Sequence, residues 1–389
     1  MTDSGENKTP RTPVPPKSSQ EIEAEAAEKR FALEQERNQR IIRWLTPFIS
    51  IAIAMLVSSV FIVATGGNPV EAFSALFQGA FGSQRAIGET LLRSTPLVFT
   101  GLGLAYGFRS GLFNIGAEGQ LFLGGLAAAW VGLLVGGLSW MISIPLILLA
   151  AAFAGAAWAF IPALMKARIG ANEVITTMMF SYIGRYIVSW AVTGPLADKG
   201  GIPQTPQLPG NAVLPRLNLI FPFLKPTRAH AGILVALIAV VIVWFLLKHT
   251  VLGFEARSVG FNPFASQAGG ISVSSTIIKS LCISGAFAGL AGAVEVMGVY
   301  GRLFDQFSSG FGFTGIAVAL LAKNNPWGVL AAALLFGALD AGAGTMQLEA
   351  NVSQKVILII QGVIIFMIGA ESIVTWGFER FAPKKVVAS

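Results

Sequence analysis

Charged residues are scarce in this chain of 389 residues. They make up only 12% of the sequence, whereas 54% is hydrophobic and the mean hydropathy is +0.68. A soluble domain carries about 25% charged residues, so the composition excludes an ordinary soluble globular protein. The scarcity indicates a polytopic membrane protein of the all-α class, folded as one helical bundle rather than as two or three globular domains.

Cysteine, histidine and the common catalytic motifs are also scarce or missing. The single cysteine, Cys282, excludes an intramolecular disulfide framework, and the two histidines, His230 and His249, flank one apolar segment and predict no metal site. No G-x-x-x-x-G-K-[ST] loop is present, so the chain is not expected to bind ATP in the P-loop manner. HExxH, paired-cysteine and G-x-S-x-G motifs are missing too. The sequence therefore predicts no catalytic residue, no metal and no cofactor in this chain.

Three regions differ in composition. Residues 1–40 form a polar tail that we predict to be cytoplasmic, disordered at first and then helical, and residues 376–389 form a second cytoplasmic tail. Residues 41–375 form the predicted transmembrane domain. Within it, the range 194–230 contains seven prolines and predicts an extracytoplasmic loop. The range 249–275 is the longest internal polar stretch on the predicted cytoplasmic side.

Apolar segments of about 20 residues predict transmembrane helices. About ten such segments occur, with eight as the lower bound. The segment 312–323 is too short to cross alone, and 87–107 is a second candidate for a broken or re-entrant helix. Lysine and arginine are in excess on one side, which predicts that both termini are cytoplasmic. The predicted segments are 42–65, 87–107, 113–135, 140–165, 172–193, 231–248, 276–299, 312–323, 327–345 and 355–374.

Two parts of the chain share an order of features. Residues Thr90–Gly125 and Ser280–Ala322 each contain a glycine-spaced helix, then a polar break, then a short glycine-rich segment. Related halves with interrupted helices are typical of transporters, whose sites lie near the bilayer midplane between the halves. The sequence therefore predicts two related halves with a site between them.

Ionisable side chains inside the apolar segments are candidates for function. Placing one of them in lipid costs roughly 2.5–3.5 kcal/mol on insertion scales, so each is expected to face protein or a wet cavity. A hydrated interfacial position is the alternative for Glu173 and Glu371, and a structural ion pair is the alternative for Glu118 and Arg185. The full set is Glu118, Glu173, Arg185, Glu295, Asp340 and Glu371.

Polar and aromatic residues at matching points of the two parts suggest a ligand. Asn114, Glu118 and Gln120 lie near a predicted helix start, where the helix dipole favours polar ligand atoms. Phe311 and Phe313 lie among glycines in the second part. Aromatic faces beside a few polar groups suit a flat, hydroxylated ligand such as a nucleoside or a sugar. Packing in the core or against lipid is the alternative for the two phenylalanines.

Four blocks of sequence carry a resemblance to a known family. The sequence resembles the permease subunits of bacterial ABC importers for nucleosides, within the branched-chain amino acid and simple-sugar permease superfamily, over about residues 40–375. Two positions depart from the family pattern: Ser181 stands where asparagine is usual, and Arg185 is an unusual charge. Both departures leave open which contacts the predicted helix 172–193 makes. The four blocks are Phe108–Gly125, Ala171–Ile183, Gly253–Ser272 and Gly312–Gly328.

The resemblance implies partners and roles. It implies a cytoplasmic ABC ATPase that binds ATP and Mg²⁺, a second homologous permease subunit, and an extracytoplasmic substrate-binding (lipo)protein, with no nucleic acid partner. The range 249–275 then becomes the ATPase-coupling loop, whose matching residues are Glu255, Ala256, Arg257, Gly260 and Asn262. Asn114, Glu118, Asn172 and Glu173 match the family's substrate-pathway blocks, so the predicted pathway set is Asn114, Glu118, Gln120, Asn172, Glu173, Phe311 and Phe313.

The predicted function is that of a non-enzymatic pathway subunit in a bacterial cytoplasmic membrane. The subunit would carry purine or pyrimidine nucleosides by alternating access, coupled to ATP hydrolysis on separate subunits. The first alternative is a permease for a simple sugar such as ribose or galactose. The second alternative is an ion-coupled secondary transporter, motivated by Glu118, Arg185, Glu295 and Asp340.

Overall fold

The computed structural model describes residues 49, 51–220 and 227–369, and this part of the chain is almost entirely helical. Its only strand-like pairings are two isolated bridges, Gln204 with Phe304 and Arg216 with His230. The all-α prediction is therefore confirmed for the described residues. The predicted tails, 1–40 and 376–389, and the candidate residue Glu371 lie outside these residues.

The helices follow the predicted apolar segments, and their ends coincide with capping residues. Asn68, Asn172, Asn262 and Asn325, for example, each accept backbone N–H groups at a helix start, as asparagine commonly does. The helices are α1 Ile51–Ala64, α2 Pro69–Phe81, α3 Gln84–Arg109, α4 Ala117–Val135, α5 Trp140–Ile169, α6 Glu173–Thr193, α7 Leu217–Ile220, α8 Gly232–His249, α9 Val251–Phe261, α10 Pro263–Ala268, α11 Val273–Val294, α12 Phe311–Leu321, α13 Pro326–Ala350 and α14 Val356–Gly369.

Length and composition qualify five of the described helices as candidate membrane spans. They are α4, α5, α8, α13, and α11 together with its π-helical extension Glu295–Tyr300. A sixth arises if α1 and α2, which are bent by 119° relative to each other, form one span. Helices α3 and α6 mix charged and hydroxyl residues with apolar ones and fall outside this set, and α12 and α14 are shorter. Ten crossings and cytoplasmic termini therefore stay predictions.

Helix α3 lies at the centre of the bundle. Every residue from Ser94 to Gly107 is buried, and the helix contacts α8, α11, α12 and α13. The segment 87–107, which the sequence analysis gave as a candidate for a broken helix, lies inside α3 without a break. Pro96 is accommodated within the helix, and the Thr100 hydroxyl donates to its carbonyl oxygen at 3.1 Å.

Glycines let three helices approach closely. A Cβ atom on Gly124 of α4 would collide with the backbone of Gly289 of α11, and one on Gly285 of α11 would collide with the backbone of Gly155 of α5. Small residues at such crossings permit tight packing between membrane helices. The high glycine content is thus explained by packing of α4, α5 and α11, which form the wall behind the candidate site.

The proline-rich loop is tied to the segment that leads into α12. The backbone N–H groups of Thr205 and Leu208 donate to the carbonyl oxygens of Leu303 (2.9 Å) and Gly301 (2.8 Å), and the Asp305 N–H donates to the Pro203 carbonyl (3.0 Å). The chain reaches this segment through the π-helix Glu295–Tyr300, a form that is frequent at functional sites. A movement of the loop would therefore reach the start of α12.

Candidate functional site

The turn between α3 and α4 is held by a pair of buried amides. Asn114 and Gln120 are 0% and 1% exposed. The Asn114 Nδ2 donates to Gln120 Oε1 at 2.8 Å and to Ser284 Oγ at 2.9 Å, while Asn114 Oδ1 accepts from Gln120 Nε2 at 3.1 Å and from the Gly116 N–H at 3.0 Å. These contacts use the amide groups on each other and on neighbouring protein atoms. They fix the start of α4 against α11.

Glu118, one turn further along, links α4 to the start of α12. Its side chain is buried, with 6% exposed, and its Oε2 accepts from the Gly312 N–H at 2.6 Å. Ser308 and Gly310 lie beside it in the lining of one cavity, and the Gly310 N–H donates to the Ser308 hydroxyl at 3.2 Å. A negative charge is stabilised at a helix N-terminus, where backbone N–H groups are unsatisfied. Glu118 therefore caps α12 from the neighbouring helix.

Glycine at position 312 is required by this close approach. A Cβ atom there would collide with the backbone and the carboxylate of Glu118. The glycine-rich sequence before α12 is thus explained by a backbone that must come within hydrogen-bond distance of a side chain on α4.

A cavity of about 210 Å³ opens beside this contact. Aromatic and polar side chains converge on it from α4, α6 and the segment before α12. Its volume is below the roughly 300 Å³ at which pockets for small-molecule ligands begin. Two of its aromatic rings, Tyr182 and Phe313, are also half exposed on the surface of this chain. Its lining residues are Glu118, Phe122, Ser181, Tyr182, Arg185, Gln306, Ser308, Gly310 and Phe313.

Arg185 lies well within α6. The helical rise places it about 18 Å from Glu173 and about 12 Å from Thr193, the two ends of the helix. Helix α6 packs against α4 and α5, both candidate spans, and the Arg185 side chain is exposed. A guanidinium is costly in lipid, so this face of α6 is expected to meet water or another protein.

The two phenylalanines in the first turn of α12 have different surroundings. Phe311 is buried, and its carbonyl oxygen accepts from the Thr100 hydroxyl at 3.1 Å. Phe313 is 45% exposed and lines the cavity. The structure thus brings Glu118 and Phe313 together in the cavity, while Phe311 packs in the core.

Asn172 and Glu173 lie at the start of α6 and do not line the cavity. The Asn172 Oδ1 accepts from the backbone N–H groups of Val174 (3.0 Å) and Ile175 (3.4 Å) and caps the helix. Glu173 pairs with Lys166 of α5 at 2.8 Å, with both side chains partly exposed. These positions agree with the interfacial alternative for Glu173, and a pathway role for either residue stays a prediction.

The other two candidate carboxylates of the apolar segments, Asp340 (partly buried) and Glu295 (buried), lie elsewhere. Asp340 accepts from the Gln361 amide at 3.1 Å, and Glu295 is 2% exposed at the start of the π-helix. Neither residue lines the cavity that holds Glu118 and Arg185.

Phe122 and Tyr182 line the cavity but were not predicted from sequence motifs. Phe122 lies four residues, about one helical turn, after Glu118, so both side chains are on the same face of α4. This i, i+4 spacing is the sequence signal that could have identified Phe122. Arg185 has the same spacing from Ser181 on α6.

The predicted coupling residues lie in α9 and at its junction with α10. Ala256 is fully buried, and a Cβ atom on Gly260 would collide with the backbone of Arg109. Asn262 accepts the N–H groups of Phe264 (3.0 Å) and Ala265 (3.1 Å). Glu255 pairs with Lys279 of α11 at 3.7 Å, and Arg257 is partly buried. Most of these residues thus hold α9 and α10 in place through packing and hydrogen bonds within this chain.

Large aromatic side chains project from the same two helices. Phe254 is half exposed, and Phe261 and Phe264 are 87% and 83% exposed; we refer to these three residues as the phenylalanine patch. Exposed apolar clusters mark interaction surfaces. The patch was not identified from the sequence, because an aromatic residue in a short amphipathic helix has the same pattern whether it faces the core or a partner.

Comparison with known proteins adds the following similarities. The family described as branched-chain amino acid transport system / permease component matches residues 86–369. The chain is 41% identical to the guanosine ABC transporter permease protein NupP of Bacillus subtilis (strain 168), over 85% of this chain and 94% of that protein. It is 36% identical to the glucose ABC transporter permease protein TsgB13 of Haloferax volcanii, over 87% of this chain and 91% of that protein. It is 35% identical to the nucleoside ABC transporter permease protein NupB of Lactococcus lactis subsp. cremoris (strain MG1363), over 87% and 93%. No solved structure matches the chain.

Proposed function

Because this chain belongs to the branched-chain amino acid transport system / permease component family, we propose that it is the membrane-spanning subunit of an ABC importer for nucleosides. The observation that carries this proposal is the cavity in which Phe122, Tyr182 and Phe313 meet the polar groups of Arg185 and Gln306. Aromatic faces with a few polar groups suit a nucleoside. The names of two similar proteins, NupP and NupB, support the same substrate class.

A second permease subunit completes the pathway in this proposal. The cavity is small for a ligand site, and Arg185, which lines it, is exposed on the surface of this chain in the middle of α6. A second permease subunit packed against this face of α6 would enclose the cavity and remove the guanidinium from lipid. The nucleoside would then pass between the two subunits.

The coupling to ATP runs through α9 in this proposal. The chain supplies no ATP site, and hydrolysis lies on a cytoplasmic ABC ATPase that docks on the phenylalanine patch. Gly260 packs on the backbone at Arg109 and Gly111, where the turn towards α4 begins. A displacement of α9 would therefore be transmitted to the Asn114–Gln120 amide pair and to the contact between Glu118 and Gly312. In this proposal, a change at that contact opens the cavity to one side of the membrane or the other during alternating access.

The outer face receives substrate from an extracytoplasmic binding protein. The loop 194–230 is hydrogen-bonded to the segment 301–305, which leads to the Glu118 contact. Docking on this loop would move the start of α12 without any direct contact to the cavity. The protein is a multi-pass membrane protein, and the bacterial cytoplasmic membrane with both termini inside is its proposed location.

A simple-sugar importer is the second candidate, supported by the similarity to a glucose permease protein. Labelled guanosine and adenosine uptake by cells expressing the chain with its genomic neighbours separates the candidates. Unlabelled nucleosides, free bases, ribose, galactose and glucose compete in turn, with an ATPase-inactivated strain as control. Competition by nucleosides alone, lost with the ATPase, supports the proposal. Competition by free sugars identifies the sugar importer, and uptake that survives ATPase loss identifies an ion-coupled transporter.

A further inference from the structure

The cavity contains a guanidinium whose N–H donors make no hydrogen bond to the described residues, although its charge acts on Glu118 across the cavity. Among the described residues, none makes a hydrogen bond or an ion pair within 4 Å with the Arg185 side chain. This includes Glu118, which lines the same cavity. Arginine carries five N–H donors in a planar fork and accepts nothing. Arg185 therefore offers the cavity a set of donors that a ligand can use.

The carboxylate in the cavity is already occupied. Glu118 accepts from the Gly312 N–H at 2.6 Å, and Ser308 and Gly310 lie beside it in the cavity lining. A ligand that used Glu118 as an acceptor would have to compete with α12 for it. Arg185 thus supplies the cationic donors of the cavity, beside the amide of Gln306 and the hydroxyl of Ser181.

Three aromatic rings decide which part of a ligand meets those donors. Phe122, Tyr182 and Phe313 line the cavity from α4, α6 and α12. A planar base packs its faces against aromatic side chains, and its edge is then left for the polar groups. The fork of Arg185 requires two hydrogen-bond acceptors side by side on that edge.

We infer that Arg185 recognises the O6 and N7 edge of 6-oxopurine nucleosides, so that the permease favours guanosine and inosine over adenosine. Guanine and hypoxanthine present two adjacent acceptors there, whereas adenine presents an N6 donor beside N7 and leaves the guanidinium partly unpaired. This inference rests on the proposed function and narrows its substrate class. A good bidentate pair discriminates by about 5- to 150-fold.

The Arg185→Gln variant tests the inference by a reversal of preference. A glutamine amide carries one donor and one acceptor, which match N7 and N6 of adenine. The ratio of guanosine to adenosine uptake is measured in cells that express the wild type or the variant with the same ATPase and binding protein. We expect the ratio to fall at least about fivefold, with adenosine uptake retained or increased. Since the binding protein is unchanged, a change in the ratio reports the permease.

A matched substitution and a modified ligand complete the experiment. Arg168→Gln makes the same change on an exposed arginine near the end of α5 that does not line the cavity, and should leave the ratio unaltered. The modified nucleoside 7-deazaguanosine lacks the N7 acceptor. It should compete for uptake by the wild type at least about fivefold less well than guanosine does, and this difference should be smaller in the Arg185→Gln variant. Nucleoside uptake with an unaltered ratio in Arg185→Gln overturns the inference and leaves the proposed function standing. ATPase-dependent uptake of sugars alone overturns both.

Discussion

Two groups of polar residues lie within a few residues of each other at the start of α4 and in the turn before it, and they differ in where their hydrogen bonds go. Asn114 and Gln120 are buried and bonded to each other and to Ser284. Glu118 lies between them in sequence, yet it lines the cavity together with Arg185 and accepts from the Gly312 N–H at the start of α12. All three side chains therefore hold helices together. Only Glu118 does so at the wall of the cavity, so position relative to the cavity, rather than polarity, separates the two groups.

Substitution of the amide pair should have the largest effect on stability. Asn114→Ala leaves the Gln120 amide and the Ser284 hydroxyl without this partner, and each buried unsatisfied group costs about 1–3 kcal/mol. We expect the yield of folded protein and its melting temperature in detergent to fall strongly. Asn172→Ala, which removes an exposed cap, should cost only about 1 kcal/mol.

A double substitution sharpens that prediction. Replacing Asn114 and Gln120 together with leucine removes both amides, so fewer buried groups are left unpaired. The double variant should be more stable than Asn114→Ala. A double variant that is less stable would mean that the amides contribute by something other than mutual pairing.

Glu118→Gln should impair transport more than stability. The amide keeps one acceptor oxygen but loses the charge at the start of α12, and hydrogen bonds to charged groups contribute about 1.5–3 kcal/mol. We expect nucleoside uptake to fall by about tenfold or more while the folded yield is largely retained. Glu173→Gln, which loses a partly exposed ion pair of about 0–1 kcal/mol, is the matched control. Unchanged nucleoside uptake in the Glu118→Gln variant would remove Glu118 from the pathway.

Helices α9 and α10 offer a related contrast between residues that anchor them to the bundle and residues that are exposed. Replacing Phe261 and Phe264 with serine removes two exposed aromatic rings, and interface aromatics commonly contribute 2 kcal/mol or more. The ATPase should therefore co-purify at least about tenfold more weakly, with an unchanged melting temperature for the permease. Leu219→Ser, an exposed apolar residue in the outer loop, should leave ATPase binding intact. Normal co-purification of the double variant would place the docking surface elsewhere.

His230 provides a test of a buried polar group by pH. Its Nδ1 accepts from the Gly232 N–H at 3.1 Å, and burial lowers the pKa of the imidazole from 6.5 to about 4. The unfolded chain binds a proton below about pH 6.5, whereas the folded protein does so only near pH 4, so stability is lost as the pH falls between these values. The melting temperature of the wild type should fall over this range more than that of His230→Gln. Parallel curves would contradict the buried neutral imidazole.

The helical class, most helix positions and the family could be predicted from the sequence because they depend on apolar segments and local motifs. Glu118 and Phe313 were predicted for the pathway and lie in the cavity. Asn114 and Gln120 were predicted for the same pathway, and that role stays a prediction. Their bonding to each other could not be predicted, because a sequence does not reveal that two amides six residues apart are in contact. The phenylalanine patch escaped prediction because exposure depends on which face of α9 and α10 packs against the bundle.

Substrate protection of a single cysteine tests most directly whether the cavity is the substrate pathway. The only native cysteine, Cys282, is replaced by serine, and Tyr182→Cys introduces a thiol at the half-exposed wall of the cavity. In the assembled transporter, guanosine should slow alkylation of this thiol, while alkylation in a matched Ile175→Cys chain, also exposed on α6 but outside the cavity, should be unaffected. Equal labelling of the Tyr182→Cys chain with and without guanosine, in a transporter that still imports it, would contradict the assignment of this cavity to the pathway.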